Sequence, residues 1–135
     1  MKIASGFSEN LKEFQQKINY KFNAESYLLE ALTHKSYSVD RNVDTPNNER
    51  LELLGDSILN FIVAEKLLKL FSKEKEGSIS KRRASLVNLN KLYELAMKYE
   101  FHKYMRFGPG EIKQGNHLNQ RVLGSCFEAV IGAIY

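Results

Sequence analysis

The chain has one cysteine, two prolines and no tryptophan among its 135 residues. A lone Cys126 excludes an internal disulfide and, with no second thiol, a thiolate zinc site, so its expected role is core packing. No stretch approaches the roughly 18 consecutive apolar residues that a membrane span needs. The opening residues MKIASGFSENLKEF hold no apolar run behind positive charge, so no secretory signal is expected. These absences point to a soluble, cytoplasmic protein, organellar if its source is eukaryotic, with no membrane partner and no small-molecule organic cofactor. No alternating apolar and polar run is long enough for a strand, and long stretches follow a 3.6-residue apolar period, so the expected fold class is all-α.

Hydrophobic residues make up 43% of the chain and charged residues 27%, a globular composition at the length of one domain, residues 1–135. The chain stops on AVIGAIY while its last helix is still apolar, which reads as a domain cut short at its C-terminal side. The net charge of +4 suits a polyanionic partner but decides little alone. Its distribution says more. Lys81, Arg82, Arg83, Lys98, Lys103 and Arg106 lie between two acid-bearing segments, the pattern of a positive rim around a negative centre.

Helices are expected around Leu11, Phe14 and Ile18, over residues 24–33, from residue 47 or 48 to about 71, through Ser85 and Val87, over residues 88–99, and over residues 118–135. Thr33 to Ser36 (THKS) should close the second of these. Residues 37–46 (YSVDRNVDTP) and 107–116 (FGPGEIKQGN) are rich in breakers and read as loops. Asn47 and Asn48 compete as caps of the long helix, and Ser78 and Ser80 are candidate caps after the break at Gly77.

The stretch NNERLELLGDSILNFIVAEKLL (47–68) carries four acids within an apolar helix, three of them, Glu49, Glu52 and Asp56, in its first ten residues. At about 100° per residue, Glu49, Glu52 and Asp56 fall within one sector of roughly 60°. Apolar residues occupy almost all the remaining wheel, so the helix is expected to be buried. Two like charges ~6 Å apart repel by ~3 kcal/mol at an effective dielectric near 20. Arg50 points about 100° away from Glu49 and cannot neutralise the cluster, whereas a divalent cation bound through oxygen, as magnesium prefers, can. Gly55 interrupts the helix at a cost of about 1 kcal/mol relative to alanine, a sign of close approach by another segment. The last helix is the candidate, because its Glu128 sits among the small residues Gly124, Ser125, Ala129 and Gly132.

Other readings compete at several positions. Acids in a first turn favour the helix dipole, so Glu49 and Glu52 have a purely structural alternative. Asp56, in the third turn, has no such excuse. His34, His102 and His117 lack the spacing of a zinc site or a nucleophilic triad and read as structural. Lys81 and Arg82 suit a solvated helix face as well as a phosphate-tracking surface, and Tyr93, Tyr99, Phe101 and Tyr104 read as core.

NNERLELLGDSIL closely resembles the ribonuclease III signature, with ALTHKSY before it, EGSISKRRASLV after it and FEAVIGAIY at the end, all in the family's order. The resemblance spans residues 15–135. It implies an all-α endonuclease domain that works as a homodimer and hydrolyses double-stranded RNA with magnesium, or manganese as a substitute, held by carboxylates. Carried over, Glu52, Asp56 and Glu128 fall on metal-site positions, Glu49 on an acidic position at the site's edge, and Glu76 on the acid near the RNA path, with Lys81 and Arg82 in the segment that follows. Ser125 stands where an aspartate is usual, so it removes one negative charge and is expected to reach the metal only through water. Leu53 stands where a phenylalanine often packs across the dimer interface. No double-stranded RNA-binding domain occurs in this chain.

Two readings of function follow. One is an active magnesium-dependent endoribonuclease domain. The other is a family relative that binds RNA as a scaffold without cutting it. Ser125 separates them, and the survival of Glu49, Glu52, Asp56, Glu76 and Glu128 favours the enzyme.

Overall fold

The computed structural model describes residues 5–41 and 44–135. Eight α-helices carry the described chain: α1 Ser5–Ile18, α2 Glu25–Ala31, α3 Lys35–Arg41, α4 Glu49–Leu70, α5 Glu76–Leu86, α6 Leu89–Lys98, α7 Pro109–Lys113 and α8 Gln120–Ile134. Two 3-10 turns, Phe101–Lys103 and Asn116–Leu118, complete it. Among the described residues there is no strand, only an isolated bridge between Thr33 and Arg106. The expected all-α class is the observed one.

Helix α8 is the axis of the domain. Its apolar and small residues bury Leu123, Gly124, Cys126, Ala129, Val130 and Gly132, and α2, α4 and α6 pack around it. Each fully buried leucine or valine stabilises the fold by about 1.5–3 kcal/mol. Leu11 and Phe14 of α1 join Leu28, Leu29 and Leu32 in the same core. The Phe14 ring meets Phe101 edge-on at 5.0 Å and Tyr104 at 5.4 Å. Phe101 and Tyr104 are thus core residues as expected, and Tyr93 and Tyr99 pack against them half-buried. Cys126 is fully buried, its thiol donates to the Ala31 carbonyl, and burial pushes its pKa up, so it is the packing residue it was expected to be.

The THKS segment does more than end α2. Thr33 is buried; its hydroxyl donates to the Leu29 carbonyl and accepts from Arg106 Nε and Nη2 at 3.0 and 2.8 Å. Its carbonyl accepts from Asn48 N, and the peptide pairs His34 N with Arg106 O and Arg106 N with Leu32 O. The start of α4 is therefore fixed to the end of α2 and to the loop before α7. This commits Arg106, which also lies over the Tyr37 ring, to structure rather than to a positive rim.

Several local expectations are corrected. Residues 37–41, expected as part of a loop, belong to α3, because Tyr37 N donates to His34 O and Ser36 N to His34 Nδ1; Asn42 and Val43 lie outside the described residues. Helix α5 begins at Glu76 behind Lys75, with Gly77 inside its first turn, so Ser78 and Ser80 are not its caps; the Ser80 hydroxyl donates to Glu76 Oε1 instead. The 107–116 segment forms the short α7, with Pro109 in the first turn where its missing N–H costs nothing. Asn47 rather than Asn48 bonds the start of α4, accepting from Glu49 N. Asn88, expected only as the first residue of its helix, caps α6, its side chain accepting from Lys91 N.

The largest correction concerns α4. Only Gly55 and Leu67 are buried on it, while Leu53 is 73% and Phe61 67% exposed, with Leu54, Ile62, Leu68 and Leu70 also open. An apolar wheel says that a helix wants covering on all sides; it does not say that its own chain does the covering.

Candidate active site

The crossing of α4 and α8 is made by two facing glycines. A Cβ added to Gly55 would lie 2.6 Å from the Glu128 carbonyl carbon and 3.0 Å from Gly132 N. One added to Gly132 would collide with the Leu51 carbonyl and sit 3.1 Å from Gly55 N. Backbone touches backbone, so the expectation that α8 packs on Gly55 holds. Helix α8 is positioned in turn by Gly124 against the Leu89 and Leu92 side chains of α6, and by Asn119, which accepts from Arg121 N and Val122 N.

Because the backbones meet, side chains flanking the glycines on each helix project into the same cleft. This cleft, of about 570 Å³, is lined by Glu49, Glu52, Leu53 and Asp56 of α4 and by Arg121, Val122, Ser125 and Glu128 of α8, with Asn48, His34 and Lys35 completing it. Asp56 and Glu128 also line a smaller hollow of about 210 Å³ towards Asn88 and Leu92. The structure thus brings together Glu49, Glu52, Asp56, Ser125, Glu128 and Leu53. Glu76, Lys81 and Arg82 lie on α5 and do not line the cleft.

The electrostatics of the cleft are those of uncompensated acids. Among the described residues, no lysine, arginine or histidine forms an ion pair with Glu49, Glu52, Asp56 or Glu128. Glu128 bears the consequence. Burial first, then its hydrogen bond with Asp56 and the charges of Asp56 and Glu52, push it up to about 8. Asn60 donates to the Asp56 carboxylate at 3.3 Å and to the Asp56 carbonyl at 2.9 Å. Ser125 donates its hydroxyl directly to Glu52 Oε1 at 3.0 Å.

The donors fit a hard divalent cation in kind: carboxylate oxygens from two helices, no thiol, and like charges that such a cation would relieve. They are not gathered into a finished cage. Among the described residues no three His, Cys, Asp or Glu side chains stand close enough to form a metal-holding group. Glu52 and Asp56 are instead engaged by Ser125 and Asn60.

Of the polar lining residues, Arg121 and Lys35 were not singled out in the sequence, and Asn48 and His34 were read there only as a cap candidate and a structural histidine. Arg121 precedes Ser125 by four residues and so shares its face of α8, a spacing that could have identified it. Asn48, His34 and Lys35 arrive through the Thr33 hydrogen bonds, which no local pattern announces. His34 is structural, as expected, yet it also borders the cleft. Its Nδ1 accepts from Ser36 N at 3.2 Å and meets the Ser36 hydroxyl, which accepts from Gly108 N. Burial holds its pKa below the ordinary value, which favours the neutral ring.

The expected positive rim is redistributed. Arg82 donates Nε and Nη2 to Glu74 at 2.9 Å each and stacks 3.7 Å from the Phe71 ring centre, a structural use of its planar fork. Lys103 pairs with Glu100, which also accepts from Lys17. Lys35 and Arg121 are the cations at the cleft itself.

No described helix is long and apolar enough to cross a membrane. The family model described as Ribonuclease-III-like matches residues 24–135. The chain is 46% identical over 127 residues to "Ribonuclease 3" of Pasteurella multocida, covering 94% of this chain and 54% of that protein. It is 45% identical to "Ribonuclease 3" of Actinobacillus pleuropneumoniae, over 93% of this chain and 53% of that one. It spans about half the length of the curated relatives it matches. Among solved structures, the nuclease domain of ribonuclease III from Campylobacter jejuni superposes with a TM-score of 0.85 at 35% identity, covering 92% of this chain and 83% of that chain. A second structure of that domain gives 0.84 at 36% identity. The acid-lined crossing of α4 and α8 is carried on the fold of those nuclease domains, and the chain belongs to the ribonuclease-III-like family.

Proposed function

We propose that this chain is the nuclease domain of a magnesium-dependent endoribonuclease that hydrolyses phosphodiester bonds of double-stranded RNA. The observation that carries the reading is the meeting of Glu52, Asp56 and Glu128 in one cleft, from two helices whose separation is set by Gly55 and Gly132.

Glu52, Asp56 and Glu128 would hold magnesium, with manganese as a substitute, and Glu49 would act from the edge of the cleft. When bound, the ion supplies charge neutralisation at the phosphate and makes hydroxide accessible near neutral pH. The chain's own contribution is to present oxygen donors and to give up a proton. Glu128, pushed up to about 8, is the acid that must lose its proton before all three can act as carboxylates. Lys35 and Arg121 border the cleft where a phosphate enters and supply the positive counterpart. No side chain need attack phosphorus, since water is the nucleophile.

The exposed leucines of α4, with Phe61 and Ile62, form the face on which a second copy packs, which makes the working unit a homodimer with one cleft per subunit. Leu53 belongs to this face and to the cleft wall together, so dimerisation would shape the site directly. Of the α5 residues, Glu76 and Lys81 remain exposed for the RNA path, whereas Arg82 acts through its bond to Glu74.

Incubation of the chain with a long RNA duplex and with the same sequence as a single strand tests this, in magnesium and in EDTA. Cleavage of the duplex alone, and only in magnesium, is the expected result. Equal cleavage of both strands' forms, or cleavage that survives EDTA, would overturn it.

A further inference from the structure

Helical hydroxyls in this chain usually bond to their own helix. Ser57 donates to Leu53 O, Ser38 to Lys35 O and Ser85 to Arg82 O, and Thr33, just past the end of α2, reaches back to Leu29 O, the local pattern available to serine and threonine in and beside a helix. Ser125 does not. Its hydroxyl crosses from α8 to α4 and donates to Glu52 Oε1 at 3.0 Å, joining residues 73 apart in sequence within a part-buried cleft.

The position of Ser125 makes the bond consequential. It lies three residues before Glu128, on the same face of α8, and the helix pair beneath it is locked by backbone contact at Gly55. Its partner is the middle of the three α4 acids that line the cleft. A carboxylate has two oxygens; one held by a neutral hydroxyl leaves the other oriented and available. An acid at position 125 would instead face Glu52 as a like charge.

We propose that Ser125 is a positioning residue for Glu52, a neutral clamp that fixes this carboxylate towards the cleft and thereby sets the affinity of the site for a divalent cation. The proposal rests on the reading of the cleft as a cation site and adds to it a role for the hydroxyl itself. Ser125 then acts through Glu52, and loss of the clamp releases the carboxylate into several rotamers without disturbing the fold. Removing a partner that orients a metal ligand commonly weakens affinity by ~10–100-fold.

Titration of the whole chain with Mn²⁺ alone, followed by the loss of the free-ion paramagnetic resonance signal, tests the proposal without any measure of cleavage. Ser125→Ala should bind Mn²⁺ about tenfold or more weakly than wild type, and Ser125→Thr, which keeps the hydroxyl, should recover most of the loss. Melting curves should be alike for all three, since no core contact changes. Wild-type affinity in Ser125→Ala would overturn the clamp while leaving the cation site standing, and so would equal weakening in Ser125→Thr. A wild-type chain that takes up no Mn²⁺ would remove the site and the clamp together.

Discussion

Replacing Gly55 with alanine should damage stability and activity together, because one contact serves both. The new Cβ would lie 2.6 Å from the Glu128 carbonyl carbon and 3.0 Å from Gly132 N, where ordinary contact begins at 3.4 Å. All of these neighbours are backbone, and the Cβ also collides with the Glu128 carbonyl oxygen, so no side chain can swing aside and α4 and α8 must separate by more than ~1 Å. Overpacking of this kind costs about 1–3 kcal/mol, and contact with rigid backbone places Gly55→Ala towards the upper end. For a domain of this size that is a fall in melting temperature of about 10 °C. The same displacement parts Glu52 and Asp56 from Ser125 and Glu128, and a misplacement of ~1 Å can lower a rate by ~100-fold. Circular dichroism melts give the first quantity, and duplex cleavage at 20 °C, where about all of the variant remains folded, gives the second. Gly77→Ala is the control for melting, since no atom lies within 4 Å of its added Cβ; it should leave the melt unchanged or raise it slightly. A Gly55→Ala variant that melts and cleaves like wild type would refute the account of the crossing.

The acid cluster should also be visible in the pH dependence of stability. Glu128 is raised above its ordinary 4.5 to about 8, so its charged form is disfavoured in the fold; stability is fully present below the unfolded value and lost as pH rises towards 8. Urea midpoints measured in EDTA at pH 5 and pH 8 should therefore decline in wild type, and the decline should shrink in Glu128→Gln; an identical slope in both contradicts the coupling. Phe61→Asp should place a charge on the open face of α4 and yield a folded monomer by sedimentation at micromolar concentration, where wild type should sediment as a dimer; a monomeric wild type counts against the interface. Thr33→Val removes the buried acceptor of two Arg106 donors and the donor to Leu29 O, and should cost about 2 kcal/mol in thermal unfolding. An unchanged melt would show that the Thr33 hydroxyl does not hold the Arg106 loop to the end of α2.

The acids, Gly55 and the last helix were legible because each violates a local rule. Asp56 is a charge in an apolar run, Gly55 a poor helix former inside a helix, and Gly132 one of several small residues in sequence with Glu128. Such violations survive only where tertiary structure supports them. The exposure of α4 was not legible, since periodicity records which faces are apolar and not whether the cover comes from the same chain. Charges were the other failure. Arg82 and Arg106 read as rim residues, yet Glu74 with Phe71 and Thr33 with Tyr37 claim them, through partners far apart in sequence or hidden in a turn. The short α3 and α7 fell in breaker-rich segments whose helices depend on anchors at His34 and Pro109 rather than on a long apolar period.

The central claim is that carboxylates from α4 and α8 act jointly on the phosphodiester through a divalent cation, and Glu128 is the member contributed by α8. The most direct measurement is the rate of duplex cleavage at saturating magnesium by wild type and by Glu128→Gln, which keeps the shape and removes the charge. A folded Glu128→Gln variant should be slower by ~100-fold or more. Equal rates in the two proteins would contradict the claim.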